Sequence, residues 1–268
     1  MALHKKLASL KAIISGYGSC IVAFSGGSDS AFLLKACSMV LPKDKLLAVT
    51  AFSATYPESE LRKAKILAGE IGARHKVLKT AELNNKKFVS NSVKRCYFCK
   101  KELFTKLISI ARRNKLNFVL DAGNISDEKD YRPGNIAKKE LKIKSPLVES
   151  GFSKEDIRKA SRKLGLSTWN KPSLACLASR IPYGTKITVG LLKRIARGEE
   201  YLVGLGFKQV RLRHYNGLCR IEVDKGDIGS LLNRREAIVG KLKSLGYNYI
   251  TVDLEGYRTG SLNEVIDK

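Results

Sequence analysis

Cys20-Ile21-Val22-Ala23-Phe24-Ser25-Gly26-Gly27-Ser28-Asp29-Ser30 is the stretch that decides how this chain is read. Five apolar residues form a buried strand that runs straight into a polar turn, and an apolar-periodic helix starts on its far side, from Asp29 to Val40. Such a turn aims several backbone N–H groups and the positive end of a helix dipole at one point, which is a ready anion site. Gly26 and Gly27 let the backbone approach an anion closely, in conformations that other residues resist. Ser25 and Ser30 add hydroxyl donors. Asp29 is out of place beside an anion unless a divalent cation bridges the two, so it is read as a Mg²⁺ partner. The same residues also fit an ordinary helix N-cap. The Walker ending Gly-Lys-Ser/Thr is absent, so γ-phosphate transfer is not indicated.

Working outward, an amphipathic helix (His4 to Ser15) precedes the strand. After it come a strand (Leu46 to Phe52), a helix opened by Pro57 and closed by Gly72, and a strand (His75 to Leu78). This βαβ rhythm predicts an α/β fold, a parallel sheet with helices on both faces. Residues 82–94 read as an exposed loop, followed by a helix from Phe98 to Asn114 and a strand from Asn117 to Asp121. Beyond Asp121 lie a long polar loop to Gly134, a short strand near Ser145-Pro146-Leu147, and a helix capped by Ser153 with Asp156 three residues on. An irregular stretch, Trp169 to Gly184, ends the first domain, placed at residues 1–185. Residues 186–268 read helix, strand, strand, helix, strand: a small α+β domain.

At 268 residues with 44% hydrophobic content the chain has enough material for a substantial core. No stretch approaches the roughly 18 apolar residues of a membrane span, and Met1 to Lys6 lacks the apolar segment of a signal peptide. A cytoplasmic location and no membrane partner are expected. The net charge of +25 draws in polyanions such as nucleotides, phosphorylated metabolites or RNA. Its lysines are scattered along nearly every helix, as on a solvated surface. Six cysteines in such a chain point to metal or catalytic roles for some of them. Cys20, Cys37 and Cys219 lie among apolar residues and read as small buried side chains. Cys96, Cys99 and Cys176 do not. Cys96-Tyr97-Phe98-Cys99 at a helix start fits half a zinc site, a redox pair or two cluster ligands.

The phosphate turn resembles the SGGxDS motif of the PP-loop ATP pyrophosphatases, which cleave ATP between its α and β phosphates. That resemblance implies ATP and Mg²⁺ as cofactors and nucleotide contacts from Ala23, Phe24, Ser25, Gly26, Gly27, Asp29 and Ser30. It further implies that the adenine lies against Ala51 and Ser53 at the end of the second strand, with Gly123 closing over the ribose and phosphates. Two further segments, Asp121 to Gly134 and Trp169 to Gly184, together with this loop resemble the LarE family of sulfur transferases over nearly the whole chain. Members convert pyridinium-3,5-biscarboxylic acid mononucleotide into its thiocarboxylate form, towards a nickel-pincer cofactor.

On that resemblance Cys176 and Asp29 are catalytic, Cys176 being the sulfur-delivering cysteine, with Lys171 and Arg180 favouring its thiolate. The apolar Leu174-Ala175-Cys176-Leu177 also fits a buried cysteine. Glu199 and Glu222 match positions holding a divalent metal, or are surface carboxylates, and Ser230 stands where the family carries an acidic residue. Arg180, Arg211 and Arg213 are expected to grip the substrate phosphate, the last two alternating along one strand face; such a pair also fits a solvated face. Some LarE-like enzymes carry three cysteines, and Cys96, Cys99 and Cys176 resemble that pattern, which implies a [4Fe–4S] cluster. Other members sacrifice the sulfur of a single cysteine. A sulfide or sulfur-donor protein and a homo-oligomeric assembly are expected, and nucleic acid is not. The rival is a PP-loop tRNA thiolase, against which the loop Asp130-Tyr131-Arg132-Pro133-Gly134 stands.

Overall fold

The computed structural model describes residues 2–129, 133–172 and 175–266, with the side chains of Glu128 and Lys129 left aside. Asp130, Tyr131 and Arg132 of the polar loop, and Ser173 and Leu174 beside Cys176, lie outside the described residues. In chain order the elements are α1 (Leu3–Tyr17), β1 (Cys20–Ala23), α2 (Ser28–Ser38), β2 (Leu46–Phe52), α3 (Glu58–Ile71), β3 (Arg74–Lys79) and α4 (Lys86–Val89). There follow α5 (Arg95–Arg113), β4 (Phe118–Leu120), α6 (Gly134–Glu140), α7 (Pro146–Glu149), α8 (Lys154–Lys163) and α9 (Val189–Gly204). The last elements are β5 (Val210–Tyr215), β6 (Leu218–Val223), α10 (Ile228–Asn233), α11 (Arg235–Ser244) and β7 (Tyr249–Val252). No helix among the described residues is long and apolar enough to cross a membrane.

The chain forms two compact units. The first takes Met1–Glu82 and Lys94–Leu174, the second Leu83–Val93 and Ala175–Lys268. The division therefore falls before Ala175 rather than after residue 185.

In the first unit all strand pairs are parallel, in the order β3-β2-β1-β4. Successive strand residues point to opposite faces, and both faces are covered. Cys20 and Val22 of β1 and Leu46 and Ala48 of β2 face a core completed from α1, α2, α3 and α8. Ile21, Leu47 and Val49 face the other way, onto Phe104, Leu107 and Ile110 of α5. This two-sided burial is why the strands read as unbroken apolar runs. The expected capping box closes α8: Asp156 N–H donates to Ser153 Oγ at 3.2 Å and Ser153 N–H returns a bond to Asp156 at 3.0 Å. The strand expected near Ser145-Pro146-Leu147 is instead the helix α7, with Pro146 at its first turn; only a parallel bridge between Leu120 and Lys144 precedes it.

The second unit carries the sheet β5-β6-β7. β5 and β6 form a hairpin closed by Asn216 and Gly217, both at positive φ, as a two-residue turn requires. Residues 82–94, expected as an exposed loop, contain α4 and bury Phe88 and Asn91. The cause is local: Asn91 Nδ2 donates to the carbonyls of Ile181, Pro182 and Thr185 at 3.3, 2.7 and 3.0 Å. Ile187 N–H adds a bond to Val89 O.

Gly198 lies inside α9, where alanine is ordinarily preferred by about 1 kcal/mol. Here a Cβ would run into Leu212 Cδ2 and come within 3.2 Å of Leu242 Cδ2, two side chains with no exposure. Overpacking costs about 1–3 kcal/mol, so Gly198→Ala is expected to lower the urea midpoint, against the sign of helix propensity.

Candidate active site

β1 and β4 are neighbours although the chain visits β2 and β3 between them, so their carboxyl ends flank the point where strand order reverses. Ligand crevices of open α/β sheets form there. The phosphate loop follows β1, and Ala122, Gly123 and Asn124 follow β4.

Gly26 sits at φ +66°, and a Cβ on it would lie 2.9 Å from Ala64 Cβ on α3. The N-cap of α2 is Gly27, which has no side chain to place over the helix N-terminus. Asp29 Oδ2 accepts from Asn124 Nδ2 at 3.1 Å. The hydroxyls of Ser25 and Ser30 serve the loop itself. Ser30 Oγ donates to Gly27 O at 3.1 Å and accepts from Ser25 N–H at 3.2 Å, and Ser25 Oγ lies 3.1 Å from it. An open helix end, a cradle that excludes a Cβ, and a fixed carboxylate beside it suit a Mg²⁺-bound polyphosphate.

Behind the loop, Thr50 Oγ1 donates to Phe24 O at 2.7 Å. Its single proton is thereby used, so His75 Nε2, 2.8 Å away, is the donor in their contact and carries the proton. Burial, with the charge of Lys65, holds this imidazole below its ordinary pKa. At the end of β2 the hydroxyls of Ser53 and Thr55 both donate to Glu82, the latter at 2.7 Å. Burial pushes the Glu82 carboxyl up, but these bonds prevail and hold it below the usual range. Gly123 N–H donates to Asp121 Oδ1 at 2.9 Å, and Lys138 pairs with the same oxygen at 2.8 Å.

Sequence reasoning assigned Ser25, Gly26, Asp29 and Gly123 to this crevice and passed over Tyr56, Glu60, Glu82 and Asn124. Lys171, expected to act on Cys176, has its ammonium 3.0 Å from Gly26 O and 2.7 Å from Glu60 Oε2.

The second unit gathers the other charged candidates. Arg180, at 2% exposure, forms a two-pronged pair with Glu199 at 2.8 and 2.9 Å. Its Nη1 holds the carbonyls of Ala175 and Cys176 at 2.9 and 3.3 Å. Arg213 grips Glu222 at 2.7 and 2.9 Å and donates to Ser179 O at 2.8 Å. Arg211 lies 5.0 Å over the Tyr257 ring; burial, then the charge of Arg180, lowers its guanidinium to about 10, still charged at neutral pH. Arg211 and Arg213 do share a face, but it is a buried one.

A model of the NAD synthase family matches residues 4–113. An uncharacterised protein of Synechocystis sp. is 40% identical over 99% of this chain and 100% of its own length. The pyridinium-3,5-bisthiocarboxylic acid mononucleotide synthase of Lactiplantibacillus plantarum is 38% identical over 99% of this chain and 96% of that protein. The chain belongs to the LarE family. An uncharacterised protein of Methanocaldococcus jannaschii is 30% identical over 89% of the chain.

Membership of this PP-loop, ATP-using family implies ATP and Mg²⁺ as cofactors. Cys96 and Cys99 lie one turn apart in the first turns of α5, exposed and half-buried respectively. Cys176 is exposed at the start of the 3-10 turn Leu177–Arg180, while the next residue, Leu177, is buried. Cys20, Cys37 and Cys219 are buried among apolar side chains. Among the described residues, no three His, Cys, Asp or Glu side chains are gathered as a metal-ligand group. Glu199 and Glu222, expected as metal ligands, both sit in arginine ion pairs, and Ser230 is exposed on α10.

Glu222 has no exposure, so removing its charge would leave Arg213 buried without its counter-ion. Glu222→Gln is expected to cost about 3 kcal/mol in urea denaturation without metal. A residue serving only as a metal ligand would show no such loss.

Glu60 carries the pH dependence of the phosphate loop's surroundings. Burial alone would raise its carboxyl, but hydrogen bonds from Lys171 and Lys63 outweigh it, leaving the folded-state pKa below the usual glutamate value. Its stabilisation is therefore complete above the ordinary glutamate range and lost as pH falls through the lowered value. Stability measured from pH 6 down to 3 should fall less steeply in Glu60→Gln than in the parent.

Proposed function

We propose that this chain is an ATP-dependent sulfurtransferase that acts on pyridinium-3,5-biscarboxylic acid mononucleotide, adenylating a carboxylate and converting it to a thiocarboxylate. The observation that carries the reading is the phosphate loop: left-handed Gly26 pressed on Ala64 beside an uncapped helix N-terminus, with Asp29 held by Asn124. Full-length similarity to the Lactiplantibacillus synthase supports the substrate class.

The chemistry needs ATP because a carboxylate, negatively charged and resonance-stabilised, resists a nucleophile. A substrate carboxylate oxygen attacks the α-phosphorus and pyrophosphate leaves; the N–H groups of the loop offset the charge that accumulates on it, and Asp29 would hold the Mg²⁺ that supplies further charge neutralisation. A sulfur nucleophile then adds to the acyl carbon of the adenylate and expels AMP. Cys176 is the sulfur-handling residue in this reading. Arg180 anchors its backbone, and the substrate phosphate is assigned to the cluster of buried guanidiniums of Arg180, Arg211 and Arg213. Glu199 and Glu222 orient those guanidiniums, and a divalent metal at them belongs to the proposal.

Cys96, Cys99 and Cys176 are proposed to hold a [4Fe–4S] cluster. Three thiolates suit such a cluster, where structural zinc ordinarily takes four ligands, and the cluster would supply an iron site open to hydrosulfide.

With the mononucleotide and ATP, the products should be AMP and pyrophosphate, and Asp29→Asn should release pyrophosphate at least tenfold more slowly while remaining folded, since it lacks the metal-holding carboxylate. ADP as the main product would refute the reading. Anaerobically prepared protein should contain iron and acid-labile sulfide, absent from each single Cys→Ala variant at positions 96, 99 and 176. Loss of one sulfur in mass from Cys176 after turnover would replace the cluster route with a sacrificial one. Transfer of sulfur to tRNA instead would point to a thiolase.

A further inference from the structure

Three consecutive carbonyls of the phosphate loop are each held by a side-chain donor. Tyr56 Oη donates to Ser25 O at 2.6 Å. Lys171 Nζ donates to Gly26 O at 3.0 Å. Ser30 Oγ donates to Gly27 O at 3.1 Å. The last of these is internal to the motif, but Tyr56 precedes α3 and Lys171 comes from a segment 145 residues away.

A trans peptide is planar, with its C=O and N–H pointing in opposite directions. Fixing the Ser25 carbonyl therefore fixes the N–H of Gly26, and fixing the Gly26 carbonyl fixes the N–H of Gly27. Gly27 N–H donates to the Oγ of exposed Ser25 at 3.4 Å, a long bond that an anion can displace. Glycine backbones rotate freely, so without such restraints these peptides would flip among orientations and the loop would order only on meeting its anion.

We infer that Tyr56 and Lys171 are positioning residues that preset the anion cradle by holding the Ser25 and Gly26 carbonyls outward, so that the N–H groups of Gly26 and Gly27 face the phosphates. The inference rests on the reading of this loop as the ATP site. Glu60 completes the device. It accepts from Lys171 at 2.7 Å and from Lys63 at 2.9 Å, which holds the lysine ammonium at the loop's back rather than in solvent. The absence of a Walker lysine is consistent with this arrangement: the lysine acts on the carbonyl side of the loop.

The test uses the full-length protein and compares Tyr56→Phe, Lys171→Met, Lys171→Arg and the Tyr56→Phe/Lys171→Met double variant. Steady-state pyrophosphate release gives KM for ATP and kcat, and titration calorimetry gives ATP affinity. Tyr56→Phe removes one oxygen atom and keeps the ring, so its fold is preserved even if the lysine variant proves unstable. Each single variant is expected to raise KM for ATP about tenfold, the scale of one net hydrogen bond, with kcat changed less than about threefold. Lys171→Arg, which still donates to Gly26 O and Glu60, should restore most of the loss. Since both groups orient adjoining peptides, the double variant should lose less than the product of the two single effects.

Unchanged KM in both single variants, with ATP binding by the parent intact, overturns the inference and leaves the ATP reading standing. A loss confined to Lys171→Met, with Tyr56→Phe like the parent, also overturns it, because it makes the lysine a direct phosphate contact. A lowered melting temperature with unaltered KM reduces both residues to structural roles. If the parent protein binds no ATP, inference and reading fall together.

Discussion

The contact between Gly26 and Ala64 is the constraint on which the first unit's site depends. With room for no Cβ between them, the phosphate loop lies directly on the α3 backbone. Glu60 and Ala64 are one helical turn apart, so the face that receives the loop also presents the carboxylate that restrains Lys171. Below them Leu67, Ala68 and Ile71 enter the same apolar layer as Cys20 and Val22 of β1. The strand that launches the loop and the helix that supports it are thus fixed by one core. A shift of α3 would be felt at the loop carbonyls, and through planar peptides at the N–H groups they control.

The second unit uses a different principle. Arg180 with Glu199, and Arg213 with Glu222, are largely dehydrated pairs made with two-pronged geometry. Such pairs contribute little net stability compared with apolar side chains of the same size, but losing one member is costly. What they provide here is position. Arg180 joins α9, through Glu199, to the carbonyls of Ala175 and Cys176, and Arg213 joins β5 to the turn Leu177–Arg180 at Ser179 O. A cysteine on an otherwise irregular segment thereby gains a backbone set by a helix and a strand.

How far the sequence could be read follows from where the determinants lie. The β1–loop–α2 unit, the parallel sheet and the small second domain were legible because apolar runs, helical periodicity and two glycines are local signals. Tyr56, Glu60 and Asn124 were not, because each serves the loop through a distant partner and stands in unremarkable company. Lys171 was noticed for its nearness in the chain to Cys176, and its bonds to Gly26 O and Glu60, 145 and 111 residues away, left no local signal. Residues 82–94 looked like a solvated loop because their lysines and asparagines are those of one. The carbonyls that bury Asn91 come from some ninety residues later. The stretch Ser145-Pro146-Leu147 was expected as a strand, but Pro146 suits a first helical turn and opens α7.

That detour by residues 83–93 bears on how the protein is made. The second unit is discontinuous along the chain, and its first piece leaves the ribosome long before its partners. At roughly 5–20 residues per second, translation takes on the order of ten seconds to pass from Val93 to the end of β7. Until residues 181–185 have been made, Asn91 has none of the three carbonyls it will bind. The first unit's strands, all complete by Leu120, meet no such delay. Vectorial synthesis therefore favours an order in which the four-stranded sheet forms while residues 83–93 are still unpaired, and the arginine-rich unit is completed last.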